Sequence, residues 1–274
     1  MARPGTRAGL TVGVNHDMSA FLGLLACPSC RGTLEERPSG LGCPGCERAF
    51  ALEQGVPVLD EGNGDGHEPS LLGRLHYKLL GNPRVYELHQ RFGGGRPIAA
   101  QVQRHLRAAD DATVLDIGAG TGMVAGLLPP QTRYVWFDND RLKLRGLLAK
   151  RIDCWAALGD AARLPFANDA VDWTVMVEVS HHLPAEALQK CLDEAARVTR
   201  GRFLFVDALR GPRLRSKLLW PLDLGRFPRA ENELLAALDK SFELEQVERF
   251  RVNHDHLLCV CVPRRKRRVS SARS

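Results

Sequence analysis

Short apolar runs alternate with longer amphipathic stretches along most of this chain. Residues 113–117, 134–138, 154–158, 170–179 and 203–206 are rich in aliphatic and aromatic side chains. Their shortness and apolarity predict strands, the first of the kind buried in a parallel sheet. Residues 98–106, 142–151 and 184–199 predict helices between them, with Asp140 placed to cap the second. The third opens on Pro184 and is followed by Gly201, a common helix punctuation. Residues 231–240 predict a further helix, and 242–250 with 254–262 a closing antiparallel hairpin. Upstream the pattern weakens. Residues 1–17 predict no structure, and Met18, where regular patterning begins, is a second candidate start. Residues 61–70 are linker-like in composition, and 71–92 predict two short helices broken at Gly81-Asn82-Pro83.

The most informative stretch is 113–122, reading T-V-L-D-I-G-A-G-T-G. An apolar strand runs into glycines at 118, 120 and 122. Glycine has no Cβ, so the backbone can take strained turn angles and a ligand can approach it closely. Residues 123–128 are apolar and predict a helix start that Pro129-Pro130 ends. A pyrophosphate cradle wants G-x-G-x-x-G with its acid about 20 residues downstream. A phosphate loop wants Lys after its last glycine. Here the spacing is G-x-G-x-G, Asp116 lies inside the motif, and no Lys follows. A turn with no ligand at all is the bland alternative.

The stretch resembles the first motif of class I S-adenosylmethionine-dependent methyltransferases, D/E-x-G-x-G-x-G. The resemblance implies a Rossmann-like α/β domain with a seven-stranded sheet, mostly parallel, the last strand antiparallel. It spans about residues 96–263, within a methyltransferase domain placed at 71–263. It also implies roles for further residues. Asp116, Gly118, Ala119, Gly120 and Gly122 would hold the amino acid end of S-adenosyl-L-methionine. Asp138, 22 residues past Asp116 and next to Asn139, would accept from the ribose hydroxyls, a task suited to an acceptor-only, two-oxygen group. Asp160 and Ala161 sit in G-D-A-A-R-L-P-F, which matches the family's adenine-binding stretch. The fourth strand delivers Glu178 to the cofactor side, then His181 and His182 in an H-H-L triplet. Either histidine is a candidate base, with packing or cofactor positioning as the plainer reading. Residues 71–95 would cap the site, with Tyr77, Tyr86, His89 and Arg91 as candidate pocket residues. The N-P-P-Y signature of exocyclic-amine methylation is absent, since the corresponding residues read Glu178-Val179-Ser180-His181.

A second signal lies upstream. Cys27-Pro28-Ser29-Cys30 and Cys43-Pro44-Gly45-Cys46 are two C-x2-C pairs separated by 12 residues. Two such knuckles present four thiolates to one centre, the ligand set of structural Zn2+. Four cysteine ligands leave no open position for catalysis. Within a ribbon domain placed at 18–60, residues 25–59 resemble the small zinc-ribbon activators of tRNA and release-factor methyltransferases through both C-P-x-C pairs, Gly32, Leu34, Ala49-Phe50 and Gly55-Val56-Pro57-Val58-Leu59. Here the ribbon precedes the enzyme-like domain in one chain, where it braces that domain or helps to hold substrate.

Composition narrows the partners. The chain has 274 residues, is 44% hydrophobic and 26% charged, and carries a net charge of +6. That charge is uneven: residues 1–70 hold 5 basic and 9 acidic side chains, residues 71–110 hold 7 and 2, and the tail 264–274 holds 6 and none. Such a tail reads as a solvated, disordered end, or as a contact for RNA or an anionic membrane. The segment 210–220 is basic and amphipathic, a lid, an anion clamp or a membrane-touching patch. No apolar run approaches the roughly 18 residues of a transmembrane helix, residues 1–26 lack a secretory pattern, and clustered cysteines suit a reducing compartment. The expectation is a cytoplasmic S-adenosylmethionine-dependent methyltransferase with a small-molecule or lipid acceptor, methylated at oxygen or carbon. An rRNA or tRNA methyltransferase is the alternative, and a non-catalytic cofactor-binding scaffold a third. The acceptor and the oligomeric state are left open.

Overall fold

In the computed structural model, residues 17–60, 95–211 and 226–265 are described. One sheet of eleven strands carries the fold, in the order β1-β2-β3-β4-β7-β6-β5-β8-β9-β11-β10. Its last seven members are the expected strands: β5 (Thr113–Ile117), β6 (Arg133–Asp138), β7 (Trp155–Gly159), β8 (Val171–Val177), β9 (Thr199–Ala208), β10 (Phe242–Arg251) and β11 (Asp255–Pro263). Strands β5 to β9 are parallel, and β11 runs antiparallel between β9 and β10.

The expectation of seven strands is corrected by the N-terminal segment. There α1 (Met18–Leu22) precedes β1 (Glu35–Arg37), β2 (Gly40–Gly42), β3 (Ala49–Glu53) and β4 (Val56–Leu59). Strand β4 pairs in parallel with the edge of β7, Val58 beside Leu158 and Leu59 beside Gly159. An edge strand offers unpaired N–H and C=O groups, and a second sheet that meets them in register simply continues the ladder. Gly159 makes the approach possible, because a Cβ there would stand 3.1 Å from the Leu59 carbonyl oxygen.

Helices cover both faces. α2 (Gly95–His105) and α3 (Arg141–Ala149) bury Ile98, Val102, Leu144 and Leu147 with Val114, Trp136 and Val175. α4 (Ala185–Val198) and α5 (Glu231–Asp239) cover the other face, above Leu115, Ile117, Val135 and Phe137. That second core also contains Phe21, Leu25, Leu34, Leu41, Phe50 and Leu59, so the N-terminal segment shares one apolar interior with the main domain. Phe21 stacks on Trp155 at 5.7 Å, and Phe166 meets Phe137 edge-on at 5.8 Å.

Asp140 caps α3 as expected, its carboxylate accepting from the Leu142 amide at 2.7 Å. The expected helix over 123–128 is only a 3-10 turn, Val124–Leu127. Gly126 inside it and two prolines just beyond leave too little favourable backbone for an α-helix. Arg264, the first residue assigned to the basic tail, is held by the Asp239 and Phe242 carbonyls at 2.8 and 3.0 Å. The linker 61–70, residues 71–94 of the expected cap, residues 212–220 of the basic amphipathic segment and residues 266–274 of the tail lie outside the described residues. Among the described residues no helix is long and apolar enough to cross a membrane.

Candidate active site

The carboxyl ends of β5, β6, β7, β8 and β9 bring the sequence-derived candidates to one edge. At the end of β5, Gly118, Gly120 and Gly122 have φ of 67°, 55° and 77°, the left-handed region where glycine is favoured. The Gly118 and Ala119 amides both donate to the Phe137 carbonyl, at 2.9 and 3.2 Å, which pins the turn against β6. A Cβ on Gly118 would lie 2.5 Å from Cγ2 of Val179, so the turn also packs tightly against the segment after β8.

Asp138 ends β6 behind that turn. Its carboxylate accepts from the Gly120 amide at 2.8 Å and from the Asp140 amide at 3.0 Å. Burial pushes its carboxyl up to about 6, against the lowering effect of those amides. A carboxylate has about four lone-pair sites, so two such bonds leave acceptor capacity. Asp116 is more enclosed, 2% exposed, and accepts from the Tyr134 hydroxyl at 2.7 Å. Burial raises its carboxyl to about 7, the Tyr134 bond opposing and the Asp138 charge adding to the shift. Asn139 is exposed just past Asp138. Asp160, also exposed, follows β7 and caps the 3-10 turn Ala161–Arg163, accepting from the Ala162 amide at 2.8 Å.

The remaining candidates follow β8. Glu178 has φ 57°, a strained value for a residue with a side chain. The 3-10 turn Ser180–His182 comes next, with His181 buried and His182 exposed, their rings 4.3 Å apart. His181 Nδ1 lies 2.5 Å from Oδ1 of Asp207, which is wholly buried at the end of β9. Asp207 also accepts from the Ser180 amide at 2.6 Å and the Ala208 amide at 2.8 Å. Burial alone would raise its carboxyl, but the facing His181 and the Ser180 amide more than offset this and hold it below the ordinary carboxylate value. Glu178 Oε1 stands 3.4 Å from His256 Nε2. Burial lifts Glu178, and His256 is raised despite its own burial because Glu178 faces it. Arg229 fixes the turn from outside, donating to the Ser180 and Leu183 carbonyls at 2.7 and 2.6 Å.

Four participants were not among the sequence candidates: Tyr134, Asp207, Arg229 and His256. Asp207 carried a readable signal, because it ends an apolar run as Asp116 and Asp138 do. The other three depend on strand register or on a distant segment folding back.

The four ribbon cysteines converge as their spacing predicts. Each C-x2-C pair closes the same knuckle: Arg31 N donates to the Cys27 carbonyl and Glu47 N to the Cys43 carbonyl, both at 2.8 Å. Arg31 and Glu47, matching positions, have φ of 65° and 60°. Cys27 and Cys46 sulfurs are 3.6 Å apart, Cys30 and Cys43 sulfurs 3.3 Å, and all four lie within 4.8 Å of one another. A tetrahedral zinc with Zn–S near 2.3 Å places its sulfurs about 3.8 Å apart. The donor set and spacing therefore fit zinc.

Residues 114–201 match a family model described as a methyltransferase domain. The match runs from β5 into β9 and contains the glycine turn and both histidines. Solved structures share the fold. A Bacillus halodurans protein described as a methyltransferase is 17% identical with a TM-score of 0.52, covering 61% of this chain and 99% of that one. A chain from the complex between the Haloferax volcanii Trm112 methyltransferase activator and a protein described as a methyltransferase is 18% identical with a TM-score of 0.54, covering 66% and 96%. Mitomycin 7-O-methyltransferase MmcR is 22% identical with a TM-score of 0.52, covering 68% and 60%. No curated protein matches the chain.

Proposed function

We propose that this domain transfers the methyl group of S-adenosylmethionine to an oxygen or carbon of a small-molecule or lipid acceptor. The observation that carries the reading is the buried His181–Asp207 pair on the same sheet edge as the glycine turn. Bound at that edge, the cofactor supplies an electrophilic methyl group on a positively charged sulfonium. The turn at 118–122 admits its amino acid end close to the backbone. Asp116 is costly to ionise in its enclosed site, so a cationic ligand nearby stabilises its carboxylate. Asp138 and Asn139 hold the ribose, and Asp160 with Ala161 the adenine. Glu178 borders the cofactor from β8.

Asp207 holds the Nδ1 side of His181 and so fixes the tautomer. Nε2 is then the nitrogen that takes the acceptor's proton as the new bond forms. Exposed His182 is the alternative base. Alignment of acceptor, methyl and sulfur supplies most of the remaining rate. In the ribbon, Cys27, Cys30, Cys43 and Cys46 hold a structural zinc.

The RNA reading rests on the basic segments. Two of their arginines among the described residues form exposed ion pairs within the chain, Arg210 with Glu233 at 2.8 Å and Arg264 with Asp239 at 2.5 Å. Methyl transfer from labelled cofactor to total RNA, compared with a small-molecule and lipid extract, tests the choice. Label in a single RNA species would reverse it, and calorimetry showing no binding of S-adenosylmethionine would end the cofactor assignment. Binding without transfer to any acceptor would favour the scaffold.

A further inference from the structure

The loop 160–166 joins the end of β7 to the buried Phe166, and the ribbon holds it at three places. Before it, Leu59 of β4 pairs with Gly159. At its far end, Ala26 N donates to the Pro165 carbonyl at 2.9 Å, Ala167 N donates to the Leu24 carbonyl at 2.8 Å, and Leu25 bridges Phe166. Between these, Arg31 reaches into the loop's middle. Its guanidinium donates through Nη1 to the Leu164 carbonyl and through Nη2 to Glu194 Oε2, both at 2.7 Å.

Arg31 is also part of the first cysteine knuckle. It follows Cys30, its own amide closes the knuckle on the Cys27 carbonyl, and its φ of 65° is imposed by that closure. The side chain therefore starts from the backbone of the cysteine knuckle, and its bonds to Leu164 and Glu194 set where the guanidinium ends. From the opposite side Arg197 of α4 donates to the same Leu164 carbonyl at 3.0 Å, to the Phe166 carbonyl at 2.7 Å, and to Glu194 at 2.7 and 2.8 Å. One carbonyl thus receives two guanidinium groups, and one carboxylate, 13% exposed, lies between them. A planar fork meets the carbonyl and the carboxylate with separate, pre-oriented nitrogens, whereas an ammonium on a shorter stem must serve both from one atom.

We propose that Arg31 is a positioning residue, through which the folded cysteine knuckle sets the loop that begins with Asp160 and Ala161. The inference rests on the reading of that loop as the adenine side of the cofactor site. The ribbon then does more than cover a sheet edge: its metal-organised knuckle tunes cofactor affinity without touching the cofactor.

The test uses the full chain with Arg31→Ala and Arg31→Lys, and Glu194→Gln as an independent cut of the same network. Three measurements are made: zinc per chain, amide hydrogen exchange without cofactor, and calorimetric affinity for S-adenosylmethionine. Expected in Arg31→Ala are unchanged zinc content, faster exchange at the Arg163 and Ala167 amides with the central strands unaffected, and affinity weakened by roughly tenfold, the size of a typical coupling between sites. Arg31→Lys should fall between it and wild type. Wild-type exchange and affinity in both Arg31→Ala and Glu194→Gln would overturn the proposal. So would loss of zinc with general loss of protection, which would make Arg31 part of the ribbon's integrity alone. A wild-type protein that binds no S-adenosylmethionine would instead refute the cofactor reading, while the exchange at Arg163 and Ala167 still decides whether Arg31 holds the loop.

Discussion

Replacing Asp116 by Asn should remove one part of the fold's pH sensitivity near neutrality, beside that of Asp138, and the magnitude follows from its enclosure. The carboxyl titrates at about 7 in the folded protein against 3.8 unfolded, chiefly because burial penalises the charge. A raised folded value means that the native state binds the proton more tightly. The stability it contributes is full below the unfolded value, falls as pH rises, and is lost once pH passes the folded value. The gap of about 3 units corresponds to about 4 kcal/mol at 1.36 kcal/mol per unit. Asn keeps an acceptor for the Tyr134 hydroxyl but cannot ionise. Its buried amide adds a constant cost of about 1–3 kcal/mol, which does not change with pH. Urea unfolding of both proteins at pH 5, 6 and 7 measures the effect. The stability of the variant relative to wild type should rise by about 1.3 kcal/mol from pH 5 to 6 and by about 1.0 kcal/mol from pH 6 to 7, where the folded carboxyl is already half ionised. Parallel curves would show that Asp116 is already ionised in the fold and would refute the argument. Excess S-adenosylmethionine should flatten the wild-type dependence, because a neighbouring cation favours the carboxylate.

Asp207→Asn should lower the rate of methyl transfer by about 10²–10⁴, as expected for a disordered tautomer, while calorimetric affinity for S-adenosylmethionine stays close to wild type. An equal loss in affinity would assign Asp207 to binding. Gly118→Ala meets a φ of 67° and a Cβ contact of 2.5 Å to Val179, and should cost about 2–3 kcal/mol in thermal or chemical unfolding. Adding Val179→Ala should recover the steric part only. Phe166→Ala should cost about 3–5 kcal/mol, since its ring is wholly buried between the ribbon and Phe137. If the four cysteines hold zinc as proposed, a zinc chelator should lower the midpoint of the whole thermal transition, because Phe21, Leu25, Phe50 and Phe166 share one core. A ribbon that melts alone, with the main transition unmoved, would contradict that coupling.

Much of the sheet edge was legible because each strand there is a short apolar run that ends in a glycine or an acid. Val114, Leu115 and Ile117 could be read as buried from their types, and Asp116 and Asp138 stood out as acids at the ends of such runs. Asp207 obeys the same rule after residues 203–206, so its place at the edge was available from sequence. Its bond to His181 was not. That contact depends on β8 and β9 lying side by side in a parallel register, Met176 beside Phe205 and Val177 beside Val206. Tyr134 is a similar case, an aromatic at the start of a strand whose hydroxyl finds Asp116 only once β5 and β6 are paired. Periodicity reports which face a residue takes, and register decides whom it meets there.

The junction between ribbon and domain shows the same limit at larger scale, and it also shows why the junction is stable. Residues 56–59 read as the end of a self-contained ribbon, and 154–158 as an ordinary third strand. Nothing within either segment states that each leaves an edge for the other. Physical chemistry supplies the link, because both edges carry backbone groups that need partners and neither is protected by charge. Val58 and Leu59 are apolar, and Leu158 and Gly159 facing them carry no charge. Once they pair, the open edges of the combined sheet move to β1 and β10. Strand β1 is Glu35-Glu36-Arg37, exposed throughout. Strand β10 carries Glu243, Glu245, Glu248, Arg249 and Arg251. Charged residues at both ends discourage further strand addition, so among the described residues the sheet has eleven strands, the two unprotected edges having been used on each other.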